Sequence, residues 1–300
     1  MRCCTIVIPT HNRDTLLERA VRSALTACPV DGEVLVVDDK SDIPAAQVIR
    51  RLDDPRLRVT VNPGPSGASS ARNWGVLQAA GEIVFFLDDD DEMLADYCTR
   101  VLQTVLRSSA AVWGFASTVE RSGSDICMDR SRQRRRLRRG IVPETSPLKD
   151  RIAAVSDGLW IRRDTFVQLG GFTVEQVIDE DTDLCLQLIA CGQQPWYEVE
   201  PGTIVYRGYV PTSEKAAQLT VSTASLIGLE CYRRTHDRNA NSFPAYSRER
   251  WFLCTRFLRR AAKQGQRERA WIFVRGLSPT PLRYAAAVFL AIKVLARGAY

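Results

Sequence analysis

Several familiar sequence signals are missing from this chain of 300 residues. Its nine cysteines include no C-x-x-C pair, and several of them lie at apolar-patterned positions. We therefore interpret the cysteines as small core residues in preference to metal ligands or disulfide partners, which points to a reducing compartment. No internal repeat is present, and the one low-complexity tract is a run of arginines.

Long apolar runs and glycine-rich phosphate motifs are absent as well. The apolar segment before Pro9 is too short for a signal-peptide core. The run 285–292 stops at Lys293 and falls short of the roughly 20 residues that a membrane span needs. No G-x-G-x-x-G follows the first strand-like segment and no G-x-x-x-x-G-K-[ST] occurs, which argues against a dinucleotide site and a P-loop. We expect a cytoplasmic protein, with a peripheral position on the cytoplasmic membrane face as an option.

The net charge of +6 conceals an uneven distribution. Residues 130–139 carry seven arginines and no acid, and residues 233–300 have a net charge of +12. The remainder of the chain therefore sums to −13. An acidic body carries a basic loop and a basic tail, and the two basic surfaces need not share a partner.

Short apolar segments alternate with helical patterns through the first 110 residues. The strand-like segments cover 4–8, 33–37, 57–61 and 83–87, and the helical ones cover 13–27, 44–52 and 67–80. This alternation predicts a mainly parallel, doubly wound sheet with right-handed crossovers. We expect further on a helix over 92–107, a weaker strand over 111–119, a polar loop over 121–150 and a helix over 180–191. The pattern is helical from about residue 212, so we place a boundary near 210.

Polar side chains follow each of the four strand-like segments. Ligands of doubly wound sheets bind beyond the carboxyl ends of the strands, so we expect these side chains to line one crevice. They are Pro9, Thr10, His11 and Asn12 after the first segment, Asp38 and Asp39 after the second, Asn62 after the third, and Asp88 to Asp91 after the fourth.

Four consecutive aspartates end the buried-looking strand in GEIVFFLDDDDEML. Adjacent carboxylates repel one another and resist burial, so the cluster must stay solvated or hold a cation. On an extended segment Asp88 and Asp90 lie on one face, where they can offer two carboxylates to Mg²⁺ or Mn²⁺ with its diphosphate. The alternative is an acidic first turn of a helix, which accounts for Asp91 and Glu92 better than for the whole run.

Asp38 and Asp39 form a second acidic group at a strand end. A carboxylate in this position can accept hydrogen bonds from a ribose or a base edge. The alternative is a helix cap or a turn, which fits Ser41 and Asp42 better.

A third acidic group opens the helix predicted over 180–191. Acids stabilise a first helical turn, which is one explanation of the group. A carboxylate in a crevice is also a competent general base when a substrate hydroxyl comes within about 3 Å. The members of this group are Asp179, Glu180, Asp181 and Asp183.

These residues together resemble the family 2 glycosyltransferases, which have the GT-A fold. The resemblance implies a doubly wound mixed α/β sheet in a catalytic domain over 1–210, with a Rossmann-like nucleotide-sugar half (1–110), an acceptor and catalytic-base half (111–210) and a basic helical region (211–300). The matching segments follow the family's order and spacing over roughly residues 4–205. They are TIVIPTHNR (5–13), VVDDKSD (36–42), GPSGASSARNWGV (64–76), GEIVFFLDDDDEML (81–94), LGGF (169–172) and EDTDL (180–184).

The resemblance implies an inverting, hexosyltransferase-type enzyme. Such an enzyme moves a sugar from a nucleotide diphosphate, with UDP favoured, to a hydroxyl of a glycan or lipid-linked acceptor. A divalent metal stabilises the leaving diphosphate, and one carboxylate takes the proton of the acceptor. The implied site residues are Pro9, His11, Asn12, Asp38, Asp39, Arg72, Asp88 and Asp89 for the nucleotide, Asp88 and Asp90 for Mn²⁺ or Mg²⁺, and Asp181 as the general base.

The chain departs from the family pattern in three places. His11 stands where an aromatic residue such as tyrosine is common, and its ring either stacks on a base or is a surface residue. Gln187 stands where an arginine often follows the base. No QxxRW motif follows Asp181, which argues against a processive polysaccharide synthase.

Three features leave alternatives open. The arginine run 130–139 is a solvated loop, a contact for anionic lipid or a phosphate-bearing acceptor, or, least favoured, a nucleic-acid site without interleaved aromatics. The apolar stripe of the basic helix around 251–261 binds an anionic membrane surface or packs on the catalytic body. Trp160 borders an acceptor pocket or packs in the core.

Two other functions compete with glycosyl transfer. A D-x-D sequence after a strand also occurs in phosphatases of the haloacid-dehalogenase type, although there it follows the first strand. The non-enzyme alternative is a scaffold, or a metal- or nucleic-acid-binding module that acts through the arginine run.

Overall fold

The computed structural model describes residues 2–122, 130–131, 136–153, 155–207 and 226–295. The strands in these residues are β1 (Arg2–Thr10), β2 (Glu33–Asp38), β3 (Leu57–Val61), β4 (Gly81–Phe86), β5 (Glu92–Met93), β6 (Trp113–Ser122), β7 (Arg130–Ser131), β8 (Gly140–Ile141), β9 (Leu159–Arg162) and β10 (Trp196–Arg207). The helices are α1 (Leu16–Ala27), α2 (Ala45–Val48), α3 (Ala68–Gln78), α4 (Tyr97–Arg107), α5 (Leu148–Arg151), α6 (Arg163–Leu169), α7 (Glu180–Ala190), α8 (Leu226–Asn239), α9 (Arg248–Lys263), α10 (Arg267–Gly276) and α11 (Thr280–Leu295).

The strands form one mixed sheet in the order β3-β2-β1-β4-β9-β6-β10-β5, with β7 paired to β6 and β8 to β10. β1 pairs in parallel with β2 and β4, and β2 pairs in parallel with β3. β9 runs antiparallel between β4 and β6, whereas β10 runs parallel to β6. The predicted doubly wound mixed sheet is confirmed. The sheet continues across residue 110, so the division into two halves there stays a prediction.

Helices cover both faces of the sheet, which explains why its central strands are apolar on both sides. Successive residues of β1 point to opposite faces. Ile6 and Ile8 pack in a cluster with α1 and α4, and Val7 packs in a second cluster with α3, α6 and α7. The two layers hold the strand ends rigidly at one edge of the sheet.

Two sequence predictions about helices are wrong. α4 begins at Tyr97 rather than at residue 92, because Glu92–Met93 forms β5 and pairs with β10. The helix predicted over 44–52 shortens to α2. The predicted loop over 121–150 also contains β7, β8 and α5 among its described residues. Contacts with strands far along the chain decide these details, and a local pattern does not reveal them.

The apolar stripe of α9 is buried within the C-terminal helices. Cys254, Phe257, Leu258 and Ala261 share a cluster with residues of α10 and α11. Leu253 joins the core cluster that contains Val7 and residues of α3, α6 and α7. The stripe is therefore buried by helix packing, but mainly on the other C-terminal helices rather than on the catalytic body as predicted. The membrane contact stays a prediction.

Two predictions fall partly or wholly outside the described residues. The boundary near residue 210 lies in the segment 208–225, so the domain limits stay a prediction. The arginine run includes 132–135, which also lie outside, while Arg139 forms an ion pair with Glu198 at 2.8 Å. Among the described residues, no helix is long and apolar enough to cross a membrane.

Most of the described cysteines and Trp160 are buried in the core. The eight described cysteines are free thiols, of which six are buried, and Cys127 lies outside the described residues. Trp160 is fully buried between β4 and β6. The core interpretation of Trp160 is therefore confirmed.

Candidate active site

The carboxyl ends of β1, β2 and β4 lie together along one end of the sheet, here called the acidic edge. The Asp39 N–H donates to the Thr10 carbonyl at 2.8 Å, which ties the loop after β2 to the end of β1. Arg13, after β1, lies 3.6 Å from Asp89 and 3.7 Å from Asp90, after β4. Three of the four predicted groups of polar residues therefore face one crevice.

Asp39 connects the remaining group, Asn62 after β3, to this crevice. Its buried carboxylate accepts hydrogen bonds from Asn62 Nδ2 at 2.7 Å and from the Gly67 N–H at 2.6 Å. Gly67 has a φ of +136°, which only glycine adopts readily, and it precedes α3. Each carboxylate oxygen has two lone pairs, so Asp39 can still accept a hydrogen bond from a base. The sequence analysis did not single out Gly67.

Asp38 holds the turn after β2, and its predicted nucleotide contact stays a prediction. Its two carboxylate oxygens accept hydrogen bonds from the Ser41 N–H at 2.9 Å and the Ala45 N–H at 2.8 Å. The side chain is buried in the turn that leads into α2. The turn role that the sequence analysis favoured for Ser41 and Asp42 therefore belongs to Asp38, because the chain folds back over its carboxylate.

His11 and Asn12 are held beside Asp39. The Asp39 carbonyl can only accept, so His11 carries its proton on Nδ1, which donates to that carbonyl at 2.8 Å. Its Nε2 then accepts from Asn12 Nδ2 at 3.2 Å. Asn12 has a φ of +54°, a left-handed conformation that asparagine tolerates. Pro9 lies in β1, opposite Val37 of β2.

Asp88, Asp90 and Asp91 form a compact carboxylate cluster. One oxygen from each residue lies within 4.8 Å of the others. The predicted pair of Asp88 and Asp90 is therefore brought together, and Asp91 joins it. The explanation of Asp91 as part of an acidic first helical turn is wrong, because α4 begins at Tyr97 and Asp91 is buried, accepting a hydrogen bond from the Tyr206 N–H at 2.8 Å.

Asp157 is a buried acid that the sequence analysis missed. Its carboxylate accepts from the Asp88 N–H at 2.7 Å and shares a hydrogen bond with Asp91. Burial and the Asp88 charge raise the pKa of Asp157 to about 8. Burial and the Asp157 charge also raise the pKa of Asp91, so the two carboxyl groups hold a proton between them. The isolated Asp157 has no acidic neighbours in sequence, so no motif signals it.

Asp89 and Asp90 add further charge at the same edge. Burial, followed by the Asp90 charge, raises the pKa of Asp89 to about 7 despite the nearby Arg13. Burial and the Asp88 charge raise the pKa of Asp90. The edge therefore carries more negative charge than its basic neighbours neutralise.

Arg72 links the aspartate cluster to α7. Its Nη2 donates to Asp88 Oδ1 at 2.5 Å and to Ser156 Oγ at 2.9 Å, and its Nη1 donates to Glu180 Oε1 at 2.8 Å. Burial alone would lower the pKa of Arg72, but the Asp88 and Glu180 charges raise it above the ordinary value. Ser156 and Glu180 were not among the predicted site residues.

Asp181 lies at the start of α7, next to Glu180. Its Oδ1 accepts from the Thr182 N–H at 2.6 Å. Burial, then the Glu180 and Asp179 charges, raise the pKa of Asp181 to about 7. A carboxylate with a pKa near the operating pH is well suited to general-base catalysis.

The other acids of this segment have structural contacts. The fully buried Asp183 accepts hydrogen bonds from Thr173, Gln187 and Asn239 at 2.6–3.0 Å. Gln187, which replaces the arginine common in the family pattern, thus supports α7. Asp179 accepts from the Arg256 guanidinium of α9.

A profile of the family "Glycosyl transferase family 2" matches residues 5–166, more than half of the chain. The chain belongs to this family. The resemblance stated from its motifs is confirmed.

Several curated proteins are similar to this family 2 glycosyltransferase. One is the GalNAc(5)-diNAcBac-PP-undecaprenol beta-1,3-glucosyltransferase of Campylobacter jejuni, with 36% identity over 113 residues, or 37% of each chain. Another is the putative colanic acid biosynthesis glycosyl transferase WcaA of Escherichia coli, with 38% identity over 90 residues, or 29% of this chain and 32% of WcaA. The chain thus spans about a third of the length of these relatives.

A third relative names both of its substrates. It is the UDP-Glc:alpha-D-GlcNAc-diphosphoundecaprenol beta-1,3-glucosyltransferase WfgD of Escherichia coli, 27% identical over 105 residues, or 35% of this chain and 42% of WfgD.

Solved structures of S. aureus TarS 1–349 have the same fold as this family 2 glycosyltransferase. The complex with UDP-GlcNAc superposes with a TM-score of 0.70 over 97% of this chain and 89% of TarS 1–349, at 14% identity. The UDP complex gives 0.68 over the same shares, at 15% identity. At such low identity the likeness shows the fold alone, and it confirms the GT-A architecture.

The acidic edge predicts that this glycosyltransferase loses stability as pH rises. Asp89 and Asp157, with pKa values of about 7 and 8, hold protons in the folded state that the unfolded chain releases near pH 4. The folded state therefore binds more protons between pH 4 and 8, and the free energy of unfolding falls across that window. We expect the melting temperature in EDTA to be lower at pH 8 than at pH 5.5.

Asp157→Asn should flatten this dependence, because the amide can donate to Asp91 and its oxygen can still accept from the Asp88 N–H. The exposed Asp164→Asn is the matched control and should retain the wild-type slope. A melting temperature that rises with pH over this window would contradict the assignment.

Proposed function

We propose that the chain is an inverting glycosyltransferase that moves a hexosyl group from a UDP-sugar to a hydroxyl of a lipid-linked glycan. The observation that carries this proposal is the link through Arg72. Its guanidinium contacts Asp88 of the aspartate cluster and Glu180, the residue before Asp181. Under this proposal, the diphosphate and the acceptor hydroxyl would bind on either side of this arginine.

The donor nucleotide is proposed to bind between the ends of β1, β2 and β3. Asp39 would accept a hydrogen bond from the base, supported by Asn62 and Gly67. The exposed ring of His11 offers a face for stacking, and Asn12 and Pro9 shape the same loop. The aspartates after β4 would lie near the diphosphate.

A divalent metal is proposed to bind at Asp88 and Asp90, with Asp91 as an added ligand. The residues fit, because three hard carboxylate donors lie within 4.8 Å of one another. Burial, and then the Asp90 and Asp88 charges, raise the pKa values of the neighbouring Asp89 and Asp157, and a cation would relieve the charge part of this effect. Bound there, Mg²⁺ or Mn²⁺ would neutralise charge that develops on the leaving diphosphate.

Asp181 is proposed as the general base. The acceptor hydroxyl oxygen forms a bond to the anomeric carbon while the bond from that carbon to the diphosphate oxygen breaks. The electron pair of the broken bond leaves with UDP, and the hydroxyl proton passes to the Asp181 carboxylate. Attack opposite the leaving group inverts the configuration. The pKa of about 7 supports this role, because a fair share of Asp181 is ionised at neutral pH.

The names of two relatives guide the choice of substrates. WfgD uses UDP-glucose and an α-D-GlcNAc-diphosphoundecaprenol acceptor by its printed name, and the Campylobacter protein acts on an undecaprenol-linked glycan. We therefore propose UDP-glucose with an N-acetylhexosaminyl diphospholipid as the first pair to test. If the wild-type protein transfers no sugar from any UDP-sugar, phosphatase chemistry and nucleic-acid binding are the alternatives to test.

A peripheral membrane position is proposed to follow from a lipid-linked acceptor. α11 has an apolar stripe on its outer side, opposite the stripe of Leu282, Ala286 and Leu290 that is buried in the helical cluster. Residues 259–295 contain eight Arg or Lys and one acid, which complements an anionic bilayer surface. The outer stripe consists of Tyr284, Val288 and Ile292, which are 68, 61 and 58% exposed.

Asp181→Asn should lower sugar transfer by about 10³-fold, because the amide cannot take the acceptor proton. The assay measures UDP release from UDP-glucose with the GlcNAc-diphosphoundecaprenol acceptor. UDP binding, measured by calorimetry, should stay within threefold of wild type. The exposed Glu175→Gln, on the same segment, is the control and should be fully active. Transfer at the wild-type rate by Asp181→Asn would remove Asp181 from the proposal.

Nucleotide binding should depend on the metal through Asp90. We expect UDP at 100 times its Kd with Mn²⁺ to raise the melting temperature by roughly 5 °C. EDTA should abolish most of the rise, and Asp90→Asn should do the same in the presence of Mn²⁺. The control Asp164→Asn should keep the full shift. A rise in EDTA equal to that in Mn²⁺ would rule out a metal-assisted site.

The outer stripe of α11 should bind vesicles that contain phosphatidylglycerol, and not vesicles of phosphatidylcholine alone. Val288→Asp with Ile292→Asp should lose cosedimentation, whereas Val30→Asp, at a site that is 89% exposed elsewhere, should not. Equal binding by the double variant would refute this surface. Light scattering checks the other occupant of the stripe. A wild-type dimer together with a monomeric double variant would instead assign the stripe to contact with a second copy of the chain.

A further inference from the structure

We infer that Arg256, on helix α9 of the C-terminal region, is a positioning residue that sets the aim and the charge environment of the Asp181 carboxylate. The inference deepens the proposed function and rests on the role of Asp181 as general base. Arg256 lies 75 residues after Asp181 and far outside the stretch that matches the family profile. No sequence motif pointed to it.

The Arg256 guanidinium donates hydrogen bonds to residues on both sides of Asp181 in the sequence. Its two Nη atoms donate to the two carboxylate oxygens of Asp179, and Nη2 also donates to Thr182 Oγ1 at 3.1 Å. Residues two before and one after Asp181 are therefore bound to the same planar group. A bidentate contact of this kind fixes orientation as well as distance.

These hydrogen bonds are important because Asp179 has a backbone conformation that is rare for a non-glycine residue. Its φ is +69°, a left-handed conformation that a non-glycine residue rarely adopts, and it is the residue that turns the chain into α7. Contacts of the Asp179 side chain must therefore hold the turn. Besides Arg256, the Thr235 hydroxyl of α8 donates to Asp179 Oδ2 at 2.8 Å. Two C-terminal helices thus shape the turn from which Asp181 projects.

Arg256 is itself held in place. Its guanidinium carbon lies 4.5 Å from the centre of the Tyr232 ring, a cation–π distance. Its side chain is 22% exposed and that of Asp179 is 3% exposed, so solvent screens the pair only weakly. A lysine could keep the charge here but could not reproduce the forked contact.

The same pair tunes the charge around Asp181. Burial, then Glu180 and Asp179, raise the pKa of Asp181, while the Thr182 N–H and Arg256 lower it. Arg256 and Asp179 therefore act on the base in opposite directions. In the part of the chain that the structure describes, the titratable and charged groups that face Asp181 are Glu180 and Asp179 on its own segment, Arg256 on α9 and Tyr232 on α8.

This opposition gives the inference a sharp test in the pH profile of kcat/KM, whose acid limb reports the base in the free enzyme. Arg256→Met should move the acid limb to higher pH, because a positive charge is lost. Asp179→Asn should move it to lower pH, because a negative charge is lost, and asparagine tolerates the left-handed turn. A merely structural role would not shift the limb in opposite directions.

The rate constants should separate positioning from donor binding. Arg256→Met and Arg256→Lys should each lower kcat by about 10- to 100-fold, since a misplacement of about 1 Å costs this much. The acid limb of Arg256→Lys should stay near that of wild type, because the charge remains. KM for UDP-glucose should stay within threefold in every variant. Arg248→Met, an exposed arginine at the start of α9, is the matched control and should behave as wild type.

Circular dichroism and calorimetric binding of UDP show that a variant is folded. A folded Arg256→Met with the wild-type kcat and acid limb would overturn the inference, and so would limbs that move in the same direction in Arg256→Met and Asp179→Asn. If Arg256→Met does not fold, the Asp179→Asn and Arg256→Lys results decide. Full activity of Asp181→Asn would instead overturn the proposed base, so the two failures are distinguishable.

Discussion

The crowding of carboxylates at one edge of the sheet is the constraint on which the rest of the site depends. Five aspartates, counting Asp157, come together where β4 ends, and burial makes their mutual repulsion costly. Arg72 of α3 forms ion pairs with Asp88 of this cluster and with Glu180 of α7. The fold can bring these acids together because the helices on both faces hold the strand ends rigidly.

The buried Arg72 and the half-buried Arg256 form ion pairs with acids near the start of α7. Arg72 pairs with Asp88 and Glu180, and Arg256 pairs with Asp179. Burial, followed by the Glu180 and Asp179 charges, raises the pKa of Asp181 to about 7. The proposed role of Asp181 as a proton acceptor at neutral pH thus depends on burial and on the charges placed around an ordinary carboxylate. The metal and the substrates of the proposed reaction would add their own charges to this balance.

The sequence predicted the sheet well and the acidic edge in part. Alternating apolar segments predicted the first four strands to within a few residues, because burial on both faces leaves a continuous apolar run. The position of polar residues after each strand predicted the crevice. The start of α4 was missed, since Glu92–Met93 pairs with β10 through contacts that no local pattern contains. The hydrogen bonds of Asp38 to the following turn were not predicted for that residue, since the turn was assigned to Ser41 and Asp42.

By itself the sequence determined the family, the parallel half of the sheet and the candidate residues that lie in motifs: Asp39, Asp88, Asp90 and Asp181. Only the tertiary structure decided which of the acids meet, that Asp157 joins them, and that Arg256 reaches the start of α7 from a C-terminal helix. The reason is physical. Burial patterns and strand ends are local and leave a periodic trace in the sequence, whereas an ion pair between distant segments leaves none until the chain is packed.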